Sequence, residues 1–536
     1  MNRLLISAAH KSSGKTTVTL GLCAAFTAQG HIVQPFKKGP DYIDPTWLAQ
    51  AAGRPCFNLD AHLMDAAALE HCFSAGMNGA DLALVEGNKG LYDGLALDGS
   101  NSNAALAHQL GLPVLLVIDA RGMTRGIAPL ILGYQAFDRR IRIGGVILNR
   151  VGGSRHEAKL RAVIEHYTDV PVLGAVAEDA RLGVAERHLG LVPCGELGNP
   201  QQRSDVIGSI IGSQVDLARV LGLAASAGPA PPALAAGPRP AVRSHAPGSR
   251  AARVRIAIAR DRAFGFYYPD DLAALQAAGA ELVSIDTLHD TQLPAVDGLF
   301  IGGGFPEVCM TELEANLPMR EALREAIEAG LPTYAECGGL MYLSRSISWQ
   351  GRTARMVGAI PGDAVMHPRP VGRGYVQLQE TAAMPWGGAG TGVTSGMTSG
   401  TTSDAARGSA SGTTSGTTSG TTSGTTSGTT SGTTSSTTSS TATGVKANTL
   451  RGHEFHLSSL ENLDPTLPFA YRVERGHGID GTHDGVLVHN LLASYAHLRS
   501  GAGSSWAPRF VAFVRAQTHA NTPHRAAAQP AAALST

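Results

Sequence analysis

Cysteine is scarce in this chain: six in 536 residues, at Cys23, Cys56, Cys72, Cys194, Cys309 and Cys337, none in CxxC spacing. That scatter argues against a disulfide framework or a zinc site and makes a reducing cytoplasm the expected compartment. Long apolar runs are missing too. None reaches the roughly 18–20 residues needed to cross a bilayer. Neither sign of charge is in excess, with 43 Lys+Arg against 43 Asp+Glu. Nucleic acid and membrane surfaces are therefore not expected partners. The opening "MNRLLISAAHKSSGKTT" has only a very short apolar run that ends in polar residues. It reads as a first β-strand, not a signal peptide.

A length of 536 residues suggests two or three domains. Residues 224–252 are Ala/Pro-rich and read as a linker. Residues 386–446 turn to Gly, Ser and Thr, with "SGTTSGTTSGTTSG" as a period-four repeat that has almost nothing to bury. They read as a disordered insertion, and residues 516–536 as a disordered tail. Two globular blocks remain, 1–223 and 253–515.

The first block alternates strand-like runs ("RLLISAA", "HIVQPFK", "DLALVEG", "PVLLVIDA", "IGGVILNRV") with helical ones. Near-continuous apolar strands separated by helices predict a doubly wound parallel sheet, with ligands at the carboxyl ends of its strands. The loop after the first strand, "AAHKSSGKTT", matches G-x-x-x-x-G-K-[ST] except that Ala9 replaces the first glycine. Gly14 lets the backbone wrap a phosphate, Lys15 supplies a point charge, and Thr16 offers a hydroxyl to Mg²⁺ at a helix N-terminus. Lys11, Thr17 and Asn149 are further candidates for contact with ATP. Glu86, ending an apolar strand, is the best carboxylate for the magnesium, with Asp44 or Asp41 completing the shell.

The second block is again α/β. In "TYAECGGLMYLS" (333–344), Cys337 sits at a strand-to-helix turn, followed by Gly338 and Gly339. Small residues around a nucleophile at such a turn resemble a nucleophile elbow. The helix N-terminus favours the thiolate. The N–H of Gly338 and one from "GGGF" (302–305), with Gly303 the chosen candidate, can face a developing oxyanion. His453, His456, His489 and His497 are all available as a base, and spacing does not choose among them.

The strings "KKGPDYIDPTW", "NLD", "ERHLGLV", "GGGFPE" and "AECGGLMYL" occur in this order. Together they resemble the cobyrinate (or hydrogenobyrinate) a,c-diamide synthases over nearly the whole chain apart from linker, repeat and tail. The resemblance implies a dethiobiotin-synthetase-like ATPase domain followed by a class I-like glutamine amidotransferase domain. It implies ATP-dependent, glutamine-hydrolysing amidation of a corrinoid in cobalamin biosynthesis, with magnesium, and a homodimer as one candidate assembly. Cys337 matches the family nucleophile. "SYAHLR" matches the family's "SYxHLH", which selects His497 and leaves Arg499 where the family has a second histidine. Lys38, Asp41 and Tyr42, inside the first string, are candidates for substrate contact. No third member of the Cys–His pair stands out. The alternatives are another tetrapyrrole substrate, such as Ni-sirohydrochlorin, or a partition-type nucleotide switch. A switch has no use for a nucleophilic cysteine domain.

Overall fold

The structure is a computed structural model. It describes the chain except residues 185, 188, 189, 197, 229–252, 388–448, 502, 503 and 528–536. Residues Met1–Gly387 and Asn448–Thr536 form one compact unit.

The first half contains β1 (Asn2–Ala8), β2 (Val33–Lys38), β3 (Phe57–Leu59), β4 (Leu82–Glu86), β5 (Val114–Asp119), β6 (Ile143–Val151) and β7 (Val172–Ala177). Its helices are α1 (Lys15–Ala28), α2 (Ile43–Ala52), α3 (Ala66–Gly76), α4 (Asn103–Leu110), α5 (Ile127–Phe137), α6 (Ser154–Tyr167), α7 (Pro200–Gln214) and α8 (Leu217–Ala225). The strands form a parallel seven-stranded sheet in the order β3-β2-β4-β1-β5-β6-β7. Alternate residues of β1 enter opposite cores: Leu5 packs with Val85 and Leu116, while Leu4 and Ile6 pack with Leu84 and Leu115. Both faces are covered, so the strands are apolar throughout. The chain crosses from one side of β1 to the other, and the loop that follows β1 lies at that switch point, where α/β sheets bind ligands.

The second half contains β8 (Val254–Ala259), α9 (Pro269–Ala277), β9 (Ala280–Ile285), β10 (Gly298–Ile301), α10 (Leu317–Glu328), β11 (Thr333–Glu336), α11 (Gly338–Leu343), β12 (Gly372–Glu380), β13 (Thr449–His456), β14 (Phe469–Arg475), β15 (His483–Val488), β16 (Leu491–Ser494), β17 (His497–Leu498) and α12 (Trp506–Ala527). The ten-stranded sheet runs β9-β8-β10-β11-β16-β15-β14-β12-β13-β17. It is parallel from β9 to β16 and antiparallel from there to β17. This mixed sheet departs from an idealised doubly wound one because hairpins, not crossover helices, connect its later strands.

Three predicted boundaries move. Helix α8 runs to Ala225, two residues into the predicted linker. Trp386, assigned to the insertion, is 5% exposed and packs beside Tyr334, Trp506 and Phe510. Helix α12 continues to Ala527, well into the predicted tail. Trp506, Phe510, Val511 and Val514 anchor its first turns in the core, and adding turns to a formed helix costs little. Residues 229–252 of the predicted linker, 388–446 of the predicted repeat and 528–536 of the predicted tail lie outside the described residues, as do His188 and Leu189 of "ERHLGLV".

Candidate active sites

The loop between β1 and α1 turns through two left-handed residues, Ser12 (φ 65°) and Gly14 (φ 89°). A Cβ on Gly14 would stand 2.0 Å from Asn149 Nδ2, so glycine is required there. Asn149, at the carboxyl end of β6, donates from Nδ2 to Ser13 O at 2.9 Å and braces the loop. Lys11 is exposed on the loop, Thr17 is half-buried in the first turn of α1, and Lys15 is buried. Burial, only partly offset by Glu86, pulls the Lys15 ammonium down to about 8. A phosphate at the loop would oppose that shift.

Thr16 Oγ1 lies 2.6 Å from Glu86 Oε1 and 3.3 Å from Asp44 Oδ2. Lys37 Nζ reaches the same carboxylates, pairing with Asp44 and standing 3.0 Å from Glu86 and 3.7 Å from Asp41. Burial pushes Glu86 up, against the pull of Lys37. Burial also lowers Lys37, but Asp44 and Glu86 outweigh it and hold the lysine well above its ordinary value. Three carboxyl groups share one lysine, and burial pushes Asp41 up to about 7, as it pushes Glu86 upward. Glu86 Oε2 is buried with no hydrogen-bond partner among the described residues. These groups fit a hard cation. Among the described residues, no group of three or more His, Cys, Asp or Glu side chains is arranged as a metal site. A hydroxyl and carboxylates beside phosphate oxygens are what a P-loop magnesium takes instead.

The second site is built at the end of β11. Cys337 has φ 49° and ψ −102°, a strained backbone that costs on the order of 1–3 kcal/mol. Its N–H donates to Ser494 O of β16 at 2.7 Å. Gly338 and Gly339 let the elbow pack tightly: a Cβ on Gly338 would stand 2.9 Å from Gly304 N, and one on Gly339 2.3 Å from Ile301 O. Gly303 lies under the His497 ring, where a Cβ would stand 2.6 Å from Cε1. The two glycines chosen as oxyanion donors thus flank the Cys337 and His497 side chains.

Of the candidate bases, His497 is beside the thiol. Strand β17 pairs with β13 and points the imidazole back at the elbow. His497 Nδ1 lies 3.3 Å from Glu336 Oε2. Glu336 is buried, and its Oε1 accepts from Tyr334 Oη at 2.7 Å and from Leu498 N at 3.0 Å. Burial lowers the imidazole's pKa, but hydrogen bonds to Cys337 and Glu336 outweigh it and raise it to about 10. His453 stacks on His497 at 4.9 Å, and burial, with His497 beside it, pushes it well below its ordinary value. His456 stacks on Tyr495, and His489 occupies the turn between β15 and β16 with φ 52°. Glu336 is the residue that sequence reasoning missed. Its one local signal is that it precedes the nucleophile.

Lys38, Asp41 and Tyr42 line a cavity of about 270 Å³ together with Asn88, Cys337 and His497. The cavity thus has walls from both halves of the chain. Lys38 donates to Asn101 O at 2.6 Å and Oδ1 at 2.8 Å. Tyr42 projects toward the glutaminase-like centre, against Phe266, Tyr268, His453 and His497. Arg499, which replaces the family's second histidine, is buried and ties the halves together. Its Nη2 donates to Asn58 O at 2.6 Å and to Asp270 Oδ2 at 2.8 Å. Tyr375 Oη donates across the same boundary to Asp60 Oδ2 at 2.8 Å.

A profile described as a CobB/CobQ-like glutamine amidotransferase domain matches residues 255–395, and one described as an AAA domain matches residues 2–185. A cobyrinate a,c-diamide synthase of Magnetococcus marinus is 42% identical over 513 residues, covering 96% of this chain and 97% of the relative. Enzymes of the same name from Methanosarcina acetivorans and Dehalococcoides mccartyi are 40% and 36% identical. The first covers 93% of each chain, the second 95% of this chain and 97% of the relative.

Proposed function

Because the chain belongs to the cobyrinate a,c-diamide synthase family, we propose that it converts the a and c acetate carboxylates of cobyrinate to carboxamides, using ATP and glutamine. The observation that carries this reading is the cavity whose walls include Cys337 and His497 on one side and Lys38, Asp41 and Asn88 on the other. A nitrogen-releasing centre and a phosphoryl-transfer centre on one chain, sharing a cavity, suit a reaction that makes ammonia and consumes it nearby.

In the glutaminase half, the Cys337 thiolate attacks the side-chain amide of glutamine and a glutamyl thioester forms. His497 takes the thiol proton and returns it to the departing ammonia, while Glu336 holds its Nδ1. Gly338 and Gly303 offer N–H groups to the oxyanion. Water then releases glutamate. In the synthetase half, Lys15 and the loop backbone hold the phosphates of ATP. The γ-phosphoryl group passes to an acetate carboxylate, since a free carboxylate is a poor electrophile. Ammonia displaces phosphate and leaves the amide. Thr16, Asp44 and Glu86 would hold the magnesium, which supplies charge neutralisation at the phosphates. Lys38 and Asp41 face the acceptor. The cytoplasm suits the reaction: it holds ATP, and the six cysteines are free thiols. Among the described residues no helix is long and apolar enough to cross a membrane.

The test is mass spectrometry of products from cobyrinate with ATP and glutamine, run beside the cobalt-free macrocycle. Two carboxylates converted and no more is the expected result. No amidation, or amidation beyond two, would refute the reading.

A further inference from the structure

Tyr42 belongs to the turn that leads into α2 of the ATP-binding half, yet its ring is surrounded by the other half. It lies parallel to Phe266 at 5.3 Å with an interplanar angle of 2°. It meets Tyr268 at 4.6 Å, the imidazole of His497 at 5.1 Å and that of His453 at 5.6 Å. Its neighbours Asp41 and Asp44 reach the phosphate-loop cluster. Asp41 Oδ1 accepts from the backbone of Ile43 at 2.9 Å and of Asp44 at 3.1 Å, which fixes the turn. Asp44 in turn pairs with Lys37 and approaches Thr16 Oγ1. Within four residues, one turn touches both the hydroxyl of the phosphate loop and the imidazole beside the nucleophile.

A nucleotide at the phosphate loop would act on this turn through the contact of Asp44 with Thr16. Lys37 is the cation shared by Asp41, Asp44 and Glu86, and Glu86 Oε2 has no hydrogen-bond partner among the described residues. A nucleotide and its divalent cation compete for Thr16, Asp44 and Glu86, because a hard cation takes oxygen ligands in preference to a hydrogen bond. Lys37 then loses partners, and the carboxylate turn that carries Tyr42 has to resettle. The ring on His497 moves with it, since packed aromatic contacts shift between discrete arrangements and do not deform smoothly.

We propose that Tyr42 is a positioning residue that couples nucleotide occupancy at the phosphate loop to the glutaminase centre, restraining His497 until ATP is bound. This rests on the glutaminase reading above. It would keep ammonia from being released when no activated carboxylate awaits it.

The experiment uses the full chain and measures glutamate formed from glutamine, with and without ATP plus cobyrinate, alongside amide formed. Wild-type hydrolysis should be stimulated by ATP and cobyrinate. In Tyr42→Ala, the unstimulated rate should rise several-fold toward the stimulated one, and glutamate formed per amide should rise with it. Phe266→Ala removes the parallel stacking partner from the glutaminase side and should uncouple in the same direction. Thermal melting reports whether each variant is folded, and if Tyr42→Ala is not, Phe266→Ala decides. Wild-type stimulation ratios in a folded variant, or hydrolysis that falls and stays ATP-dependent, would overturn the proposal. A wild-type protein with no glutaminase activity under any condition would instead sink the underlying function, and this proposal with it.

Discussion

Replacing Glu336 with glutamine removes one charge and almost no volume. The consequence can be worked from the hydrogen bonds. Oε1 still accepts from Tyr334 and Leu498. At Oε2, however, the amide presents N–H groups to His497 Nδ1, where the carboxylate presented an acceptor. The imidazole must turn its lone pair toward the amide, and its proton then sits on the nitrogen facing the thiol. A protonated nitrogen cannot accept the thiol proton, so glutamine hydrolysis should fall by roughly 10² or more. His497 also loses support for its charged form. Its rise from the ordinary 6.5 to about 10 corresponds to about 5 kcal/mol at about 1.36 kcal/mol per unit. That is shared between the thiol and Glu336, so Glu336 contributes on the order of 2 kcal/mol, in line with hydrogen bonds to charged groups. The basic limb of the glutaminase pH profile should move down by about 1–2 units. The sign for stability follows from the raised folded pKa. The pair stabilises the fold fully below pH 6.5, and that contribution disappears as pH climbs through about 10. The difference in melting temperature between wild type and Glu336→Gln should therefore be largest near pH 6 and shrink toward pH 10. The assays are glutamate release across pH and thermal melts at several pH values. An unmoved basic limb together with a melting difference that ignores pH would refute the role given to Glu336.

Other perturbations separate the two halves. Cys337→Ser should abolish use of glutamine while free ammonia still supports amidation; retention of full glutamine-dependent synthesis would mean the nucleophile is misassigned. Lys15→Ala should end amidation with either nitrogen source, because the carboxylate is no longer activated, and unchanged ATP-dependent amidation would refute the phosphate-loop assignment. Arg499→His shortens a buried side chain that serves both Asp270 and Asn58. It should cost about 2–3 kcal/mol by leaving Asp270 without its partner, read as a lower denaturation midpoint; an unchanged midpoint would show that the clamp contributes little.

The parts legible in the sequence are those whose chemistry is local. The phosphate loop is one contiguous string whose glycine and lysine carry their reasons with them, and the elbow at Cys337 announces itself through the two glycines that follow. The alternation that predicted a covered parallel sheet is visible in "RLLISAA" because a strand buried on both faces cannot hide its apolar run. Glu336 stayed unread because its meaning depends on His497, which is 161 positions away in the chain. The string around Tyr42 points to a substrate contact, and its ring partners, which no string shows, come from residues more than two hundred positions later. Helix α12 outran the predicted tail because its later sequence, "THANTPHRAA", has no large apolar residue to mark a helical period.

The pairing of β11 with β16 imposes an order on birth. Strands β1 to β7 and helix α8 are all in hand once residue 225 has been made, so the ATP-binding half can settle while the ribosome is still at work. The thiol at Cys337 emerges later but waits for its imidazole. At roughly 5–20 residues per second, the 161 positions that separate Glu336 from His497 take on the order of 8–32 s to translate. During that interval a nascent chain carries a cysteine that cannot yet cleave glutamine.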